Sequence, residues 1–407
     1  MKHSQRWVEI ALFLCVFLAL FTEVLLSPFY PQFFSKVFGV KDLSYTGYYI
    51  FVCRLTIVLC APIWGFLSQR FEVKHLLYIG QAGTAIFTAM MATARNEQQF
   101  LIITILLLSF KSSYLLVYPL IIQLAATERR STITGIYQAV FHGAIVSATI
   151  VGAWMVNLDA PLFLFYWIAI ADILQLCLCI YTLGGISSKK SEKNLETKTQ
   201  VGDSWGFILA IGLVILTFQL ANNLVRPYFT AYVTQSDPFG VSLLTSSVLF
   251  VIPNLMAIAA MPFIRKVGIP KHLPTLYTVG ICLLIIGLYF QGFSPYLSIL
   301  ILSRIVYGFF LAVSQAALEL QLFGNSSQKQ LHFNYSLATS FANVGHLGAP
   351  LFASSLVSKY SLASPLIAAA TVCIFNLAFA RLTIFKTVSI AQKTELKIQP
   401  QTKRSNL

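Results

Sequence analysis

Twelve apolar runs, at 9–31, 45–67, 77–94, 100–124, 133–157, 162–183, 206–233, 241–263, 273–292, 295–323, 331–358 and 362–385, fill most of this 407-residue sequence. A helix rising about 1.5 Å per residue needs about 20 residues to cross a hydrocarbon core of about 30 Å. Lipid offers no partner to free backbone N–H and C=O groups, so each run must be helical. The runs predict an all-α integral membrane protein with the lipid bilayer as its solvent. Charged residues are only 10% of the chain and hydrophobic ones 57%, against about 25% charged in soluble proteins. The net charge of +14 sits mainly in short connections rather than in one patch, so no nucleic-acid partner is expected. The first run is longer than a signal-peptide core and lacks a small-x-small cleavage site, so it is expected to remain as the first span.

The basic residues set the orientation. With the N-terminus inside, twenty of the 28 lysines and arginines fall on cytoplasmic segments and four on the opposite side, the bias expected of inner-membrane proteins. An even number of spans returns the C-terminus to the same side. One long polar connection (SSKKSEKNLETKTQ) divides six spans from six. The expected organisation is therefore an N-terminal six-helix bundle at 1–183, a cytoplasmic linker at 184–205, a C-terminal six-helix bundle at 206–386 and a cytoplasmic tail at 387–407.

The remaining four cations, Arg54, Lys111, Arg226 and Arg304, lie inside spans. A charge at the centre of a membrane helix costs at least about 2.5–3.5 kcal/mol, so it faces a protein-lined or watery interior. Lys111 and Arg304 each stand three positions ahead of a tyrosine, Tyr114 and Tyr307, in spans four and ten. Pro28-Phe29-Tyr30 matches Pro227-Tyr228-Phe229, and Ala61-Pro62-Ile63 matches Met261-Pro262-Phe263. These matches in one order predict two pseudo-symmetric six-helix repeats. The seven cysteines lie within apolar runs without metal-ligand spacing, and no Gly-x4-Gly-Lys-Ser/Thr occurs. No cofactor, metal or enzymatic constellation is expected.

The loop after span two reads Gly65-Phe-Leu-Ser-Gln69-Arg70-Phe-Glu72-Val-Lys74. It resembles the Gly-x-Leu-Ala/Ser-Asp-Arg-x-Gly-Arg-Arg/Lys pattern of the major facilitator superfamily. Gln69 stands where the family has an acid and Glu72 where it has glycine. The resemblance implies the major facilitator fold, with spans one, four, seven and ten lining a central cavity, and a gating role for Gly65, Gln69, Arg70 and Lys74. The segment Glu23–Phe34 is similar to carboxylate-siderophore exporters of the superfamily.

On that cavity-lining set stand Glu23, Lys111, Arg226 and Arg304, with Arg54 on span two. Four cations against one carboxylate predict a site for a small anionic substrate. Arg54, Lys111, Arg226 and Arg304 are expected to bind it, with Asn222, Tyr114, Tyr307 and Gln315 adding hydrogen bonds or a ring face. Glu23, balanced between nearby arginines and burial, is the first candidate for a proton as coupling ion. Asp172 in span six is the second candidate, and Glu319 lies near the cytoplasmic end of span ten. His142 and His346 read as hydrogen-bonding residues between helices. The expected function is secondary active, proton-coupled export of a small organic anion by alternating access, by a monomer, with a polycarboxylate siderophore as the narrower case. Multidrug efflux on the same fold, or import of an organic anion, are the alternatives.

Overall fold

Proline decides where several of the helices break. The computed structural model describes residues 5–26, 29–40, 42–156, 158–184, 203–235 and 239–386. Most of the linker and the whole tail predicted at 184–205 and 387–407, together with Ser27 and Pro28, lie outside the described residues.

The N-terminal half holds α1 (Gln5–Val24), α2 (Tyr30–Phe38), α3 (Leu43–Leu67), α4 (Val73–Met91), α5 (Glu97–Lys111), α6 (Val117–Leu124), α7 (Arg130–Val156) and α8 (Leu164–Leu183). The C-terminal half holds α9 (Trp205–Leu224), α10 (Phe229–Gln235), α11 (Leu243–Ala259), α12 (Met261–Val267), α13 (Leu273–Phe293), α14 (Leu297–Asn325), α15 (Leu331–Lys359) and α16 (Ser364–Leu382). No strand occurs among the described residues.

Four of the predicted spans are not continuous helices. Span one is α1 and α2, span four is α5 and α6, span seven is α9 and α10, and span eight is α11 and α12. In span four a 3-10 stretch, Ser112–Leu116, separates the two helices. Pro119 has no N–H for the Leu115 carbonyl and its ring crowds that oxygen, so the turn ahead of it tightens. Pro227 falls in the turn between α9 and α10.

Ten segments are long and apolar enough to cross a membrane. The other two of the predicted twelve are α4 and α15. They are long enough but more polar, and the bundle interior takes their polar side chains: Gln81, Thr84 and Thr88 of α4, and His332, Asn334, Ser336, Ser340 and Asn343 of α15, are buried. Outward faces instead carry exposed Trp154, Trp167, Phe375 and Leu382, which suits contact with lipid.

Within each half the helices pack on their own neighbours, α4 on α5 and α8, and α13 on α14 and α16. Two seams join the halves: α15 runs along α3, and α7 runs along α11 and α12. One end of these seams, where α3, α6 and α14 finish and α4, α7 and α15 begin, is termed the linker end below.

Candidate functional site

Each half encloses its own cavity beside its own buried cation. The N-terminal cavity, about 90 Å³, is lined by Thr22, Glu23, Tyr30, Arg54 and Lys111 among apolar residues including Leu107, Phe100 and Phe165. The C-terminal one, about 60 Å³, is lined by Asn222, Arg226, Phe229, Asn254, Arg304 and Tyr307, with Ile145 of α7 reaching in from the other half. Lys111 thus lines the first of these cavities and Arg304 the second. Their helices run through separate bundles, and each side chain turns into its own half.

Lys111 occupies the last turn of α5, at the edge of the 3-10 stretch. Its Nζ donates to Thr22 Oγ1 at 2.6 Å. Thr22 can accept because its own hydroxyl proton points back to the α1 carbonyls of Leu18 and Ala19. An ammonium has three protons, and Thr22 is its one hydrogen-bond partner among the described residues. Glu23, the next residue of α1, places Oε1 3.7 Å from Arg54 Nη1. That nitrogen also reaches Asn343 Oδ1 of α15 at 3.5 Å, so Arg54 spans the two halves.

Arg304 owes its position to Pro253. Proline lacks the N–H that would take the Leu249 carbonyl four residues back, and Arg304 Nε donates to that oxygen at 3.2 Å. Its other nitrogens reach Phe250 O and Gln291 Oε1, each at 3.4 Å. The guanidinium carbon lies 4.0 Å from the centre of the Phe229 ring. The same logic recurs at the seam: Pro62 frees the Val58 carbonyl, and Ser340 of α15 donates to it at 2.5 Å. Beside Arg304, Tyr307 donates to Asn222 Oδ1 at 3.1 Å, while the buried Asn222 amide nitrogen has no hydrogen-bond partner among the described residues. Arg226 stands in the break after α9, within electrostatic reach of both Arg54 and Arg304.

Three other predicted site residues line neither cavity. Tyr114 sits in the 3-10 stretch within electrostatic reach of Glu23. Asp172 of α8 is enclosed behind the N-terminal cavity, accepting from Thr88 at 2.9 Å and Gln81 at 3.4 Å and tying α8 to α4. Gln315 donates to Glu319 one turn along α14 at 3.1 Å. His142 pairs with Asn254 at 2.9 Å across the seam, and His346 with Gln219 at 3.1 Å.

The linker end is sealed. Gln69, the amide at the motif's acidic position, donates to Gln330 at 2.7 Å across the halves. A Cβ on Gly65 would come within 2.6 Å of Ser336 Cβ, so α3 and α15 approach closely there. Arg70 lies over the Phe66 ring at 4.8 Å, and Lys74 pairs with the Glu72 substitution at 3.0 Å. Deeper in the seal, Tyr118 stacks flat on Tyr137 with centroids 3.6 Å apart, and both pack against Tyr335 of the opposite half. Glu319 enters this layer from α14 and accepts from Tyr118 and Gln138, each at 3.0 Å. Tyr118, Gln138, Asn343 and Thr22 were not singled out by the sequence. A sequence signal that ties Glu319 to the site is its register: Arg304, Tyr307, Leu311, Gln315 and Glu319 recur at helical spacing along one face of α14.

The Major Facilitator Superfamily profile matches residues 12–290. The chain is 24% identical over 375 residues to a protein of Escherichia fergusonii named multidrug resistance protein MdtG, covering 88% of this chain and 89% of that one. It is 25% identical over 381 residues to the protein of that name from Escherichia coli SMS-3-5, with the same coverage. Among solved structures, the human organic anion transporter MFSD10 (TETRAN) superposes with a TM-score of 0.76 at 17% identity, over 93% of this chain and 100% of that one. A bacterial homologue of the iron transporter ferroportin, in an outward-facing state, gives 0.71 at 13% identity, over 94% and 99%.

Proposed function

The chain belongs to the major facilitator superfamily and is a multi-pass membrane transporter, and from that premise we propose that it exports a small organic anion in exchange for protons by alternating access. The observation that carries this reading is the charge of the two cavities. Arg54 and Lys111 line one and Arg226 and Arg304 the other, with Glu23 the single carboxylate among their walls. Enclosed like charges repel and have lost their hydration, and an anion that occupies the cavities during part of the cycle offsets both costs. Lys111 presents a compact charge with protons to spare, whereas Arg226 and the Asn222 amide offer directed donors. The human structural neighbour is named as an organic anion transporter, which is consistent with this choice. A polycarboxylate, including the siderophore class, is the narrower form of the reading.

The two six-helix halves at 1–183 and 206–386 act as rocking units around the cavities, in a single copy of the chain. The linker end faces the cytoplasm of a bacterial inner membrane, as the lysine and arginine bias requires. Glu23, paired to Arg54 and lining the N-terminal cavity, exchanges the coupling proton as substrate competes for Arg54.

A second reading, efflux of lipophilic drugs, draws on the names of the Escherichia relatives and on the largely apolar wall of the N-terminal cavity. Purified protein in liposomes separates the two. An outward-directed flux of radiolabelled citrate that responds to a pH gradient and is lost in Lys111→Ala and Arg304→Ala supports anion export. Absence of citrate flux together with pH-driven movement of ethidium replaces it with drug efflux.

A further inference from the structure

We propose that Glu319 is a proton-binding site assembled by closure of the linker end, which takes its proton from the cavity side and gives it to water when that end opens. The inference rests on the proton-coupled reading above and assigns it a group on the C-terminal half.

The carboxyl belongs to α14, but two of its three partners belong to the other half. Oε2 accepts from Tyr118 of α6 and Gln138 of α7, each at 3.0 Å, and Oε1 from Gln315 of its own helix at 3.1 Å. Tyr137 of α7 and Tyr335 of α15 complete the enclosure, their hydroxyls 3.3 Å apart. These five polar neighbours of Glu319 are all neutral amides or phenols. Among the described residues it makes no salt bridge, in contrast to Glu9, held by Arg129 at 2.8 Å at the same end of the bundle.

The hydrogen count fits a bound proton. Tyr118 lies 3.0 Å from Glu319 Oε2 and 3.0 Å from Thr134 Oγ1, but it has one proton. If Glu319 carries a proton on Oε2, it donates to Tyr118 and Tyr118 donates to Thr134, so each hydroxyl has one acceptor. A carboxylate would instead claim the phenol proton, and the Tyr118–Thr134 contact would then turn round, with the Thr134 hydroxyl as donor. Separation of the halves at this end withdraws Tyr118 and Gln138 together and replaces them with water, where the ionised form is solvated. One and two turns further along α14, Gln315 and Leu311 lead to the C-terminal cavity, of which Leu311 is a wall. The closed state therefore reaches Glu319 from the cavity and the open state from the linker end, as an exchanged proton requires.

The test needs no substrate. Spin labels at Glu128→Cys and Lys266→Cys, both exposed and flanking the Ser131–Arg265 contact between the halves, report the opening of the linker end in full-length protein in nanodiscs. Accessible Cys53, Cys60, Cys177 and Cys282 are replaced by alanine. The expected result is a short distance at low pH and a growing longer population as pH rises, with Glu319→Gln holding the short distance at every pH. An unchanged distance across pH in the parent, or the same pH response in Glu319→Gln, overturns the proposal. If Glu319→Gln does not fold, Glu319→Asp, whose shorter arm cannot hold the same three partners, must move the midpoint of opening; an unmoved midpoint overturns it as well. Citrate transport is a separate measurement. Its absence counts against the anion reading and leaves the gating result standing.

Discussion

Arg304 Nε donates to the Leu249 carbonyl at 3.2 Å, the oxygen that Pro253 leaves without a helical partner. A cation in the membrane is thus held by backbone that a proline four residues away has freed, with the Phe229 ring on its face. Hydrogen bonds to a charged group contribute about 1.5–3 kcal/mol and a desolvated cation–ring contact about 2 kcal/mol. Arg304→Lys keeps the charge but cannot reach Leu249, Phe250 and Gln291 together. The expected result is a clear fall in thermal midpoint in detergent and at least a tenfold loss of anion affinity, read by equilibrium binding on protein of normal membrane abundance.

Lys111 should behave in the opposite way. Its one hydrogen-bond partner among the described residues is a hydroxyl, Thr22, with Asp172 and Glu23 within electrostatic reach only, so its removal breaks a single hydrogen bond and relieves a desolvated charge. Lys111→Met is expected to abolish anion transport with a thermal midpoint equal to or above the parent's. A midpoint that falls as far as that of Arg304→Lys would show that Lys111 is a structural cation instead.

The helices were legible because lipid leaves a chain one way to satisfy its backbone, and the apolar runs mark it. The breaks were harder to see. Pro119, Pro227 and Pro262 announce kinks, but whether a proline ends a helix, as near Pro262, or stays inside one, as Pro62 does in α3, depends on what donates to the freed carbonyl. Ser340 donates to the Val58 carbonyl from 282 positions away, which no local pattern encodes. The cations were legible because charge in a membrane span needs a reason. Their division between two cavities was not, since helical register fixes the face of a residue but not which neighbour stands opposite. Glu319 went unweighted for the same reason: its partners Tyr118 and Gln138 are ordinary residues until the halves bring them 3.0 Å away.

Glu23→Gln removes the one carboxylate of the N-terminal cavity and leaves Arg54 paired only across the seam, to Asn343. The local charge becomes more positive, so equilibrium binding of citrate should tighten by about tenfold, the equivalent of about 1.4 kcal/mol. Net transport driven by a pH gradient should fail, while exchange of labelled for unlabelled citrate persists. Loss of binding and exchange together would make Glu23 a structural partner of Arg54 and no more.

Gly308 lies one turn along α14 from Arg304 and lets that helix close onto the kink. A Cβ there would come within 2.3 Å of Pro253 Cα and 2.5 Å of its carbonyl oxygen. Backbone cannot yield as a flexible side chain can, and overpacking of this kind costs about 1–3 kcal/mol. Gly308→Ala must push α11 away from α14 and carry the Leu249 carbonyl off Arg304 Nε, so it should lose both thermal stability and anion affinity. Gly143 in α7 is the control, because a Cβ there meets nothing within 4 Å. Gly143→Ala should leave the midpoint unchanged or raise it, since glycine inside a helix costs about 0.5–1 kcal/mol relative to alanine. Equal midpoints for the two variants would mean that the Pro253 kink is soft, and that the position of Arg304 is set by Phe229 and Gln291 rather than by the freed carbonyl.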